Sequence, residues 1–293
     1  MLKFFSRVRT FENLKEYFFF KIISLIFKTK NKGFHIFDED WDNLIILDAC
    51  RYDFFKKIIP SINIDGVLKK KISLGSHTAQ FLKENFKNRK YENIVYLTAN
   101  PVVNQLLNDR FYQIISVWDQ GWDKKFHTVL PEVMYQYTLN AIKKYPNKKL
   151  IIHFMQPHFP YIGYDINKGI INTGIKKSIF SIYHSDHWTK YNLLSLLKGY
   201  LKSLQISLFY VKKLVNVLSG TTVITSDHGE SFGDYIHPFF PIKFYGHEIN
   251  VKMPALTEIP WFVIKKQKIE LTEKRSMELE KEILRTSIKK LKL

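Results

Sequence analysis

The chain contains very little cysteine and no apolar run long enough to span a membrane. Its single cysteine excludes an internal disulfide framework and any cysteine-rich zinc site, which fits a reducing compartment. An apolar stretch at residues 17–27 has a lysine inside and is too short to cross a bilayer. No small-residue cleavage site follows it, so no signal peptide is evident. We therefore expect a cytoplasmic protein, with attachment to the membrane surface as the alternative.

Acidic residues are also scarce relative to basic ones, at 27 against 45, which gives a formal charge of +18. Such a charge attracts nucleic acid, phospholipid surfaces or an acidic substrate. Lysine is, however, the default surface residue in the Ile-, Asn- and Phe-rich composition that an AT-rich genome produces. No run of arginines with interleaved aromatic residues marks a nucleic-acid groove. We do not expect nucleic acid as the partner, and charge alone does not settle the function.

Both ends of the chain are basic and amphipathic. Residues 1–33 form a predicted N-terminal arm, and residues 269–293 a predicted C-terminal helix, with apolar residues at helical spacing among lysines. One interpretation is peripheral association with an anionic membrane. The equal alternative is that these helices pack against the main domain.

Residues 34–268 form one predicted catalytic domain, in which strand-like and helix-like stretches alternate. Continuous apolar strands of this kind indicate a mainly parallel sheet with helices on both faces, an α/β fold arranged as an α/β/α sandwich. The segment 163–190, rich in Gly, Ser, Asn and His, is predicted to be a surface excursion near the site. The predicted strands are Asn43–Leu47, Ile94–Thr98, Tyr112–Val117, Leu150–Phe154, Thr222–Thr225 and Trp261–Ile264, and the predicted helices are Tyr52–Ile58, Thr78–Phe86, Pro131–Tyr145 and Tyr191–Leu218.

Asp and His residues follow several of these predicted strands. Asp227 and His228 come directly after Thr222–Thr225, at the carboxyl end of the sheet, where open α/β folds place their sites. Asp48 follows the first strand. His153 lies near the end of the predicted strand Leu150–Phe154, and His158 follows that strand. Carboxylate and imidazole groups suit a divalent metal with nitrogen and oxygen ligands. Taken singly, each residue has a bland alternative, such as a helix cap or a satisfied polar side chain.

Thr78 is the candidate nucleophile, in a Gly- and Ser-rich turn that opens a predicted helix. Its hydroxyl is either a helix N-cap or, beside a metal, a group that ionises and attacks an electrophile while backbone amides stabilise the anion. Ser76 is a rival two residues away. Cys50 is a weaker rival because it lacks the Cys-x-Pro-x-Arg context of sulfatases.

The ordered set of motifs resembles the sulfatase-like proteins of the alkaline phosphatase superfamily over roughly residues 40–265. The motifs that carry this resemblance are Leu47–Asp53, Gly75–Phe81, His153–Tyr161, Ser226–Gly233, Gly246–His247 and Ile259–Trp261. The resemblance implies an α/β/α sandwich, one or two divalent metal ions (Zn, Mn or Ca), and a nucleophile that is transiently phosphorylated or sulfated.

The resemblance also implies roles for individual residues. Asp48, Asp227, His228 and the oxygen of Thr78 would hold the first metal ion. The second ion would be held by His158 and His247. Because many relatives have Asp where this chain has His153, the second site is a three-histidine site, a weak site or an empty one.

The expected function is metal-dependent hydrolysis or transfer of a phosphate or sulfate ester through a covalent threonine intermediate. The substrate would be anionic and glycan- or lipid-linked, and Arg51 would steady its anion or else pair with Asp53. The missing formylglycine motif counts against a true sulfatase. The alternatives are an inactive metal-binding module and a basic protein that binds nucleic acid or a membrane surface.

Overall fold

A computed structural model describes residue 21 and residues 33–86, 89–165, 181–183, 187–237, 240–268 and 277–285. The predicted N-terminal arm lies outside these residues apart from Lys21 and Gly33, as does most of the predicted surface excursion. Residues 277–285 are helical, within the predicted C-terminal helix. Across this part of the chain, no helix is both long and apolar enough to cross a membrane.

A seven-stranded sheet forms the centre of the molecule. Its strands are β1 (Asn43–Leu47), β2 (Val67–Ile72), β3 (Tyr91–Thr98), β4 (Phe111–Ser116), β7 (Lys149–Phe154), β9 (Thr221–Thr225) and β12 (Glu258–Lys265). They lie in the order β2-β12-β9-β1-β7-β3-β4. Strand β1 lies between β7 and β9 and is parallel to both, while β12 runs antiparallel to β9 and β2.

Helices cover both faces of this sheet. Alternate side chains of β1 point to opposite faces, so Ile45 and Leu47 join one buried cluster while Leu44 and Ile46 join another. The helices of the described residues are α1 (Tyr52–Ile62), α2 (Thr78–Asn85), α3 (Val102–Leu107), α4 (Val117–Gly121), α5 (Pro131–Lys144), α6 (His187–Lys190), α7 (Leu193–Val217), α8 (Pro254–Thr257) and α9 (residues 277–285). The predicted α/β/α sandwich with a mainly parallel sheet is confirmed.

Every strand and helix predicted within residues 34–268 is present, with ends shifted by a few residues. Strand β2 was not predicted because Lys69, Lys70 and Lys71 interrupt the apolar pattern of its sequence. It is an edge strand paired only with β12, and charged side chains protect such edges from pairing with other chains.

A second sheet, also missed by the predictions, has three strands in the order β10-β11-β8. They are β8 (Ser181–Tyr183), β10 (Ser231–His237) and β11 (Phe240–Gly246), while β5 (Trp122–Asp123) and β6 (Thr128–Val129) form a separate pair. Ser231 pairs with Gly246 in the antiparallel ladder of β10 and β11. This register brings the preceding Glu230 beside the following His247.

Candidate metal centre

Asp48, Asp227 and His228 form a buried group at the carboxyl ends of β1 and β9. Each offers one ligand atom, and these atoms lie within 4.8 Å of one another. Ser226 joins the two strand ends, because its Oγ accepts a 2.8 Å hydrogen bond from the Cys50 amide and donates a 2.6 Å one to the Leu47 carbonyl. Parallel pairing of adjacent strands thus creates the group from residues far apart in sequence.

Surrounding hydrogen bonds orient all three side chains. Asp227 Oδ1 accepts bonds of 3.2 and 2.9 Å from the amides of Ala49 and His228, and Asp48 Oδ2 accepts a 2.8 Å bond from Asn100. His228 Nδ1 lies 2.8 Å from the Gly229 carbonyl, which can only accept, so Nδ1 carries the proton. The Nε2 lone pair of His228 is left to bind a metal ion.

The other oxygens of the two carboxylates face His228 Nε2. Asp48 Oδ1 lies 3.5 Å and Asp227 Oδ2 lies 3.4 Å from that nitrogen. Among the described residues, neither oxygen has a hydrogen-bond partner, although both are buried. A buried carboxylate oxygen without a partner is costly. This donor set fits a divalent cation.

The electrostatics of the group also favour a cation. Burial and the nearby charge of Asp227 raise the pKa of Asp48 well above its usual value. Burial alone would raise the pKa of Asp227, but the adjacent imidazoles of His228 and His153, the nearby Thr78 hydroxyl and the hydrogen bond from the Ala49 amide together outweigh it, so this pKa is lowered. Two buried carboxylates of like charge therefore need a positive partner to ionise together.

Thr78 touches this group through its hydroxyl. Its Oγ1 lies 3.2 Å from His228 Nε2, and the residue is 4% exposed. Helix α2 is capped by His77, whose side chain accepts from the Ala79 amide, so Thr78 is the first helical residue and not the cap. The hydroxyl is therefore available for the role of a nucleophile.

The other helix-cap alternatives also fail. Arg51, and not Asp48, occupies the N-cap position of α1. The described residues 226–230 contain no helix, and β10 follows them. Asp48, Asp227 and His228 therefore do not cap helices, and their side chains face one another instead.

The rival nucleophiles are held in other contacts. Ser76 Oγ donates a 2.7 Å hydrogen bond to the Glu248 carbonyl and lies 3.2 Å from Gln80 Oε1. Cys50 is fully buried, and burial raises the pKa of its thiol well above the usual value. Its thiolate, the nucleophilic form, is therefore disfavoured.

His158, Glu230 and His247 form a second group with ligand atoms within 4.8 Å of one another. His247 Nδ1 lies 3.0 Å from Glu230 Oε1, and the His158 amide donates a 3.1 Å bond to the Asp48 carbonyl. The rings of His228 and His247 are 4.4 Å apart between centroids, so the two groups adjoin. Burial, with the nearby His228, lowers the pKa of His158 to about 4 and keeps its ring in the neutral, metal-binding form. Burial raises the pKa of Glu230.

His153 lies beside the first group. Its Nε2 is 3.9 Å from Asp227 Oδ2, and its Nδ1 is 2.9 Å from the hydroxyl of Tyr96. Burial lowers the pKa of His153 to about 4, so the ring is neutral near pH 7 and does not form an ion pair with Asp227. Glu230, and not His153, is the third member of the second group.

Arg51 contacts two carboxylates and the backbone of Glu230. It binds Asp53 at 2.8 Å and Asp234 at 2.7 Å, and donates a 3.2 Å hydrogen bond to the Glu230 carbonyl. Its side chain is 11% exposed. These contacts match the structural alternative for Arg51, a salt bridge to Asp53.

Sequence reasoning missed Glu230 and Asn100. Glu230 lies two residues after the Asp227-His228 pair, but its partnership with His247 depends on the register of β10 and β11. Asn100 follows the end of β3, the same signal that identified Asp48 and Asp227. Restricting the search to Asp and His left out this amide.

Comparisons with known proteins place the fold. No family model matches the sequence, and no curated protein matches it. The structure is similar to the integral membrane lipooligosaccharide phosphoethanolamine transferase A of Neisseria meningitidis, with 14% identity, a TM-score of 0.53, and coverage of 82% of this chain and 49% of that one. The soluble domain of the same enzyme matches at 13% identity and a TM-score of 0.51, covering 77% and 76%. These matches show that the chain shares the fold of these phosphoethanolamine transferase domains, in agreement with the predicted α/β/α sandwich.

A third match is a periplasmic domain whose structure was solved with zinc. The periplasmic domain of EptC from Escherichia coli, in complex with zinc, has 14% identity and a TM-score of 0.51, covering 77% of this chain and 72% of that domain. None of these matches supports the cytoplasmic location expected for this chain. The chain spans about half the length of the Neisseria membrane enzyme, 49%.

Proposed function

We propose that the chain is a metal-dependent enzyme that transfers or hydrolyses a phosphate ester through a covalent intermediate on Thr78. The observation that carries this proposal is the position of Thr78 Oγ1, 3.2 Å from His228 Nε2 and next to two buried carboxylates. The phosphoethanolamine transferases with this fold support phosphoester chemistry in general. The Thr78 intermediate and the metal dependence are our inference.

The residues present fit one or two divalent ions. Asp48, Asp227, His228 and Thr78 would hold the first, through nitrogen and oxygen donors that zinc and manganese both accept. A second group, His158, Glu230 and His247, would hold the other. A bound ion lowers the pKa of a coordinated hydroxyl and offsets the negative charge of a phosphoryl group.

Thr78 carries the covalent chemistry in two steps. First, its Oγ gives up its proton and forms a bond to phosphorus while the bond from phosphorus to the leaving oxygen breaks; that oxygen takes the electron pair, and it or the solvent takes the proton. Second, an acceptor oxygen takes the phosphoryl group from Thr78, and the acceptor's proton restores the threonine hydroxyl. Water as acceptor makes the enzyme a hydrolase, whereas a sugar or lipid hydroxyl makes it a transferase.

A glycan- or lipid-linked phosphate ester is the substrate class that we favour. The formal charge of +18 attracts anions, and one neighbour, matched both as the membrane enzyme and as its soluble domain, is a lipooligosaccharide phosphoethanolamine transferase. Sulfate esters are less favoured because Cys50 lacks the sulfatase motif and its thiol is buried. Association with an anionic membrane surface through residues 1–33 belongs to the same proposal.

The test combines metal analysis with kinetics on an aryl phosphate, an aryl phosphodiester and an aryl sulfate. Wild type is compared with Thr78→Ala and Asp227→Ala, and Ser76→Ala serves as the control. We expect metal-dependent turnover of a phosphate ester that both site variants lose and Ser76→Ala keeps. A protein without metal affinity would contradict the proposal, and so would turnover that survives in Thr78→Ala.

A further inference from the structure

The residue that follows the metal-ligand candidate Asp48 has a strained backbone. Ala49 is fully buried and has a φ of 61°, in the left-handed region. This region is unfavourable for a residue with a Cβ atom, so surrounding contacts must hold it there. The Ala49 amide donates a 3.2 Å hydrogen bond to Asp227 Oδ1. The conformation of Ala49 therefore affects two members of the first group, Asp48 as its neighbour in sequence and Asp227 through this amide.

The hydroxyl of Tyr200, in helix α7, bonds to the backbone on both sides of this turn. Tyr200 Oη donates a 2.8 Å hydrogen bond to the Ala49 carbonyl. The same oxygen accepts a 3.0 Å hydrogen bond from the Arg51 amide. A carbonyl can only accept and an amide can only donate, so the direction of both bonds is fixed. The hydroxyl thus bridges the two ends of the left-handed turn.

The ring of Tyr200 is fully buried and packed between aromatic side chains from three parts of the fold. Its centroid lies 5.0 Å from that of Phe232 in β10, with the planes at 77°. It lies 5.5 Å from the ring of Phe54 in α1 and 6.1 Å from that of Tyr161, after β7. A hydroxyl on a ring held in this way is a fixed anchor for the backbone that it bonds.

Other backbone groups of the turn are tied to the sheet. The Asp48 amide donates a 3.2 Å hydrogen bond to the Phe154 carbonyl at the end of β7. The Cys50 amide donates a 2.8 Å bond to Ser226 Oγ, just after β9. Tyr200 supplies the contacts from the layer of helices. The turn is therefore held from the sheet on one side and from α7 on the other.

From this geometry we propose that Tyr200 is a positioning residue for the first metal ion. Its hydroxyl holds Ala49 in the left-handed conformation before the ion binds, so Asp48 and Asp227 do not have to reorganise around the ion. Ligands that are already in place bind more tightly, because little free energy is lost in ordering them. The inference rests on the proposed metal-dependent function and goes beyond it, to how the empty site is kept ready.

Two substitutions test whether the hydroxyl acts through the turn. Tyr200→Phe removes the hydroxyl and retains the ring with its aromatic contacts. Ala49→Gly removes the strain, because glycine adopts positive φ without a steric penalty. The matched control is Tyr91→Phe: Tyr91 is 4% exposed and donates a 3.3 Å hydrogen bond to the Asn85 carbonyl. Tyr91 begins β3, at the opposite end of the sheet from the site.

Titration of the folded, metal-free proteins with zinc and with manganese gives the decisive affinities. We expect Tyr200→Phe to weaken binding of the first ion about 10-fold, the lower end of the usual effect of removing a group that supports a metal ligand. Tyr91→Phe should leave the affinity unchanged. In the Ala49→Gly background, Tyr200→Phe should weaken binding less, by about threefold or less, because the turn no longer needs the hydroxyl. A general loss of packing around Tyr200 would not be relieved by glycine at this position.

A metal affinity of Tyr200→Phe within about twofold of wild type would overturn the proposal. An equal loss of affinity in both backgrounds would also contradict it, because the hydroxyl would then not act through Ala49. If Tyr200→Phe does not fold, amide hydrogen exchange of metal-free wild type decides the question. The Arg51 amide should be protected before metal is added, and exchange at the rate of an unprotected amide contradicts the proposal. Wild type that binds neither metal refutes the proposed function itself.

Discussion

At the scale of single residues, neighbouring side chains orient the candidate metal ligands. Asn100 holds Asp48 Oδ2 at 2.8 Å, and Tyr96 lies 2.9 Å from His153 Nδ1, while Asp48 Oδ1 and His153 Nε2 are buried without a hydrogen-bond partner among the described residues. Such supporting contacts fix the direction of a ligand and tune its basicity. Their loss should affect metal binding before it affects the fold.

We expect Asn100→Ala to weaken binding of the first metal ion about 10- to 100-fold, because Asp48 loses the hydrogen bond that orients it. Zinc and manganese titrations of the metal-free protein measure this. The control is Asn104→Ala, which removes a partly buried amide bonded to Ser116 and Trp118, away from the metal group. Equal affinity in Asn100→Ala and wild type would show that Asp48 needs no such support.

His153 predicts a defined pH dependence of stability for the metal-free protein. Burial lowers its pKa from 6.5 to about 4, so the unfolded chain binds a proton at a pH where the folded chain does not. Stability from this group is complete above pH 6.5 and is lost as the pH falls towards 4, by about 3 kcal/mol. Chemical unfolding across this range should show that loss as a difference between wild type and His153→Gln. If wild type and His153→Gln lose the same stability as the pH falls, the lowered pKa of His153 is contradicted.

At the scale of elements, the site is assembled by the pairing of strands. Sequence patterns predicted β1, β7 and β9 and therefore placed Asp48, Asp227 and His228 at one edge of the sheet. The second group depends on the pairing of Ser231 with Gly246 between β10 and β11. These strands were not predicted. The contact between Glu230 and His247 was missed with them, because it depends on a strand register that local periodicity does not encode.

Ser226 gives an element-scale prediction, since it ties the end of β9 to the end of β1. We expect Ser226→Ala to destabilise the protein by about 1–3 kcal/mol, because the buried Cys50 amide keeps only a 3.3 Å bond to the Leu47 carbonyl. Urea unfolding measures the loss. Ser207→Ala is matched in burial but removes only a bond to the Leu204 carbonyl within one helix, and it should cost less. Equal costs would mean that Ser226 does not join the strands.

At the scale of the whole molecule, the predicted sandwich is confirmed, whereas the choice of substrate was beyond the sequence. Strands that are buried on both faces fix the layers, as the fully buried β1 illustrates. Specificity depends on loops, whose composition carries no code for a ligand. The charge of +18 narrows the choice only to anions.

The same charge predicts salt-dependent binding to membranes if the substrate is lipid-linked. We expect the protein to co-sediment with vesicles containing phosphatidylserine, to release them as salt rises from about 50 to 500 mM, and to ignore neutral vesicles. Removing residues 1–33 should weaken the binding. Salt-independent binding, or none to either kind of vesicle, would count against a membrane-bound substrate.

Mass spectrometry of the acid-quenched protein during turnover of a phosphate ester tests the central claim most directly. The account predicts a phosphoryl-group mass increase on the peptide that contains Thr78, located on Thr78 by fragmentation, dependent on added metal, and absent from Thr78→Ala. Modification of Ser76 or Cys50 would contradict the assigned nucleophile. Rapid turnover with no covalent adduct, even under single-turnover conditions, would contradict the covalent mechanism.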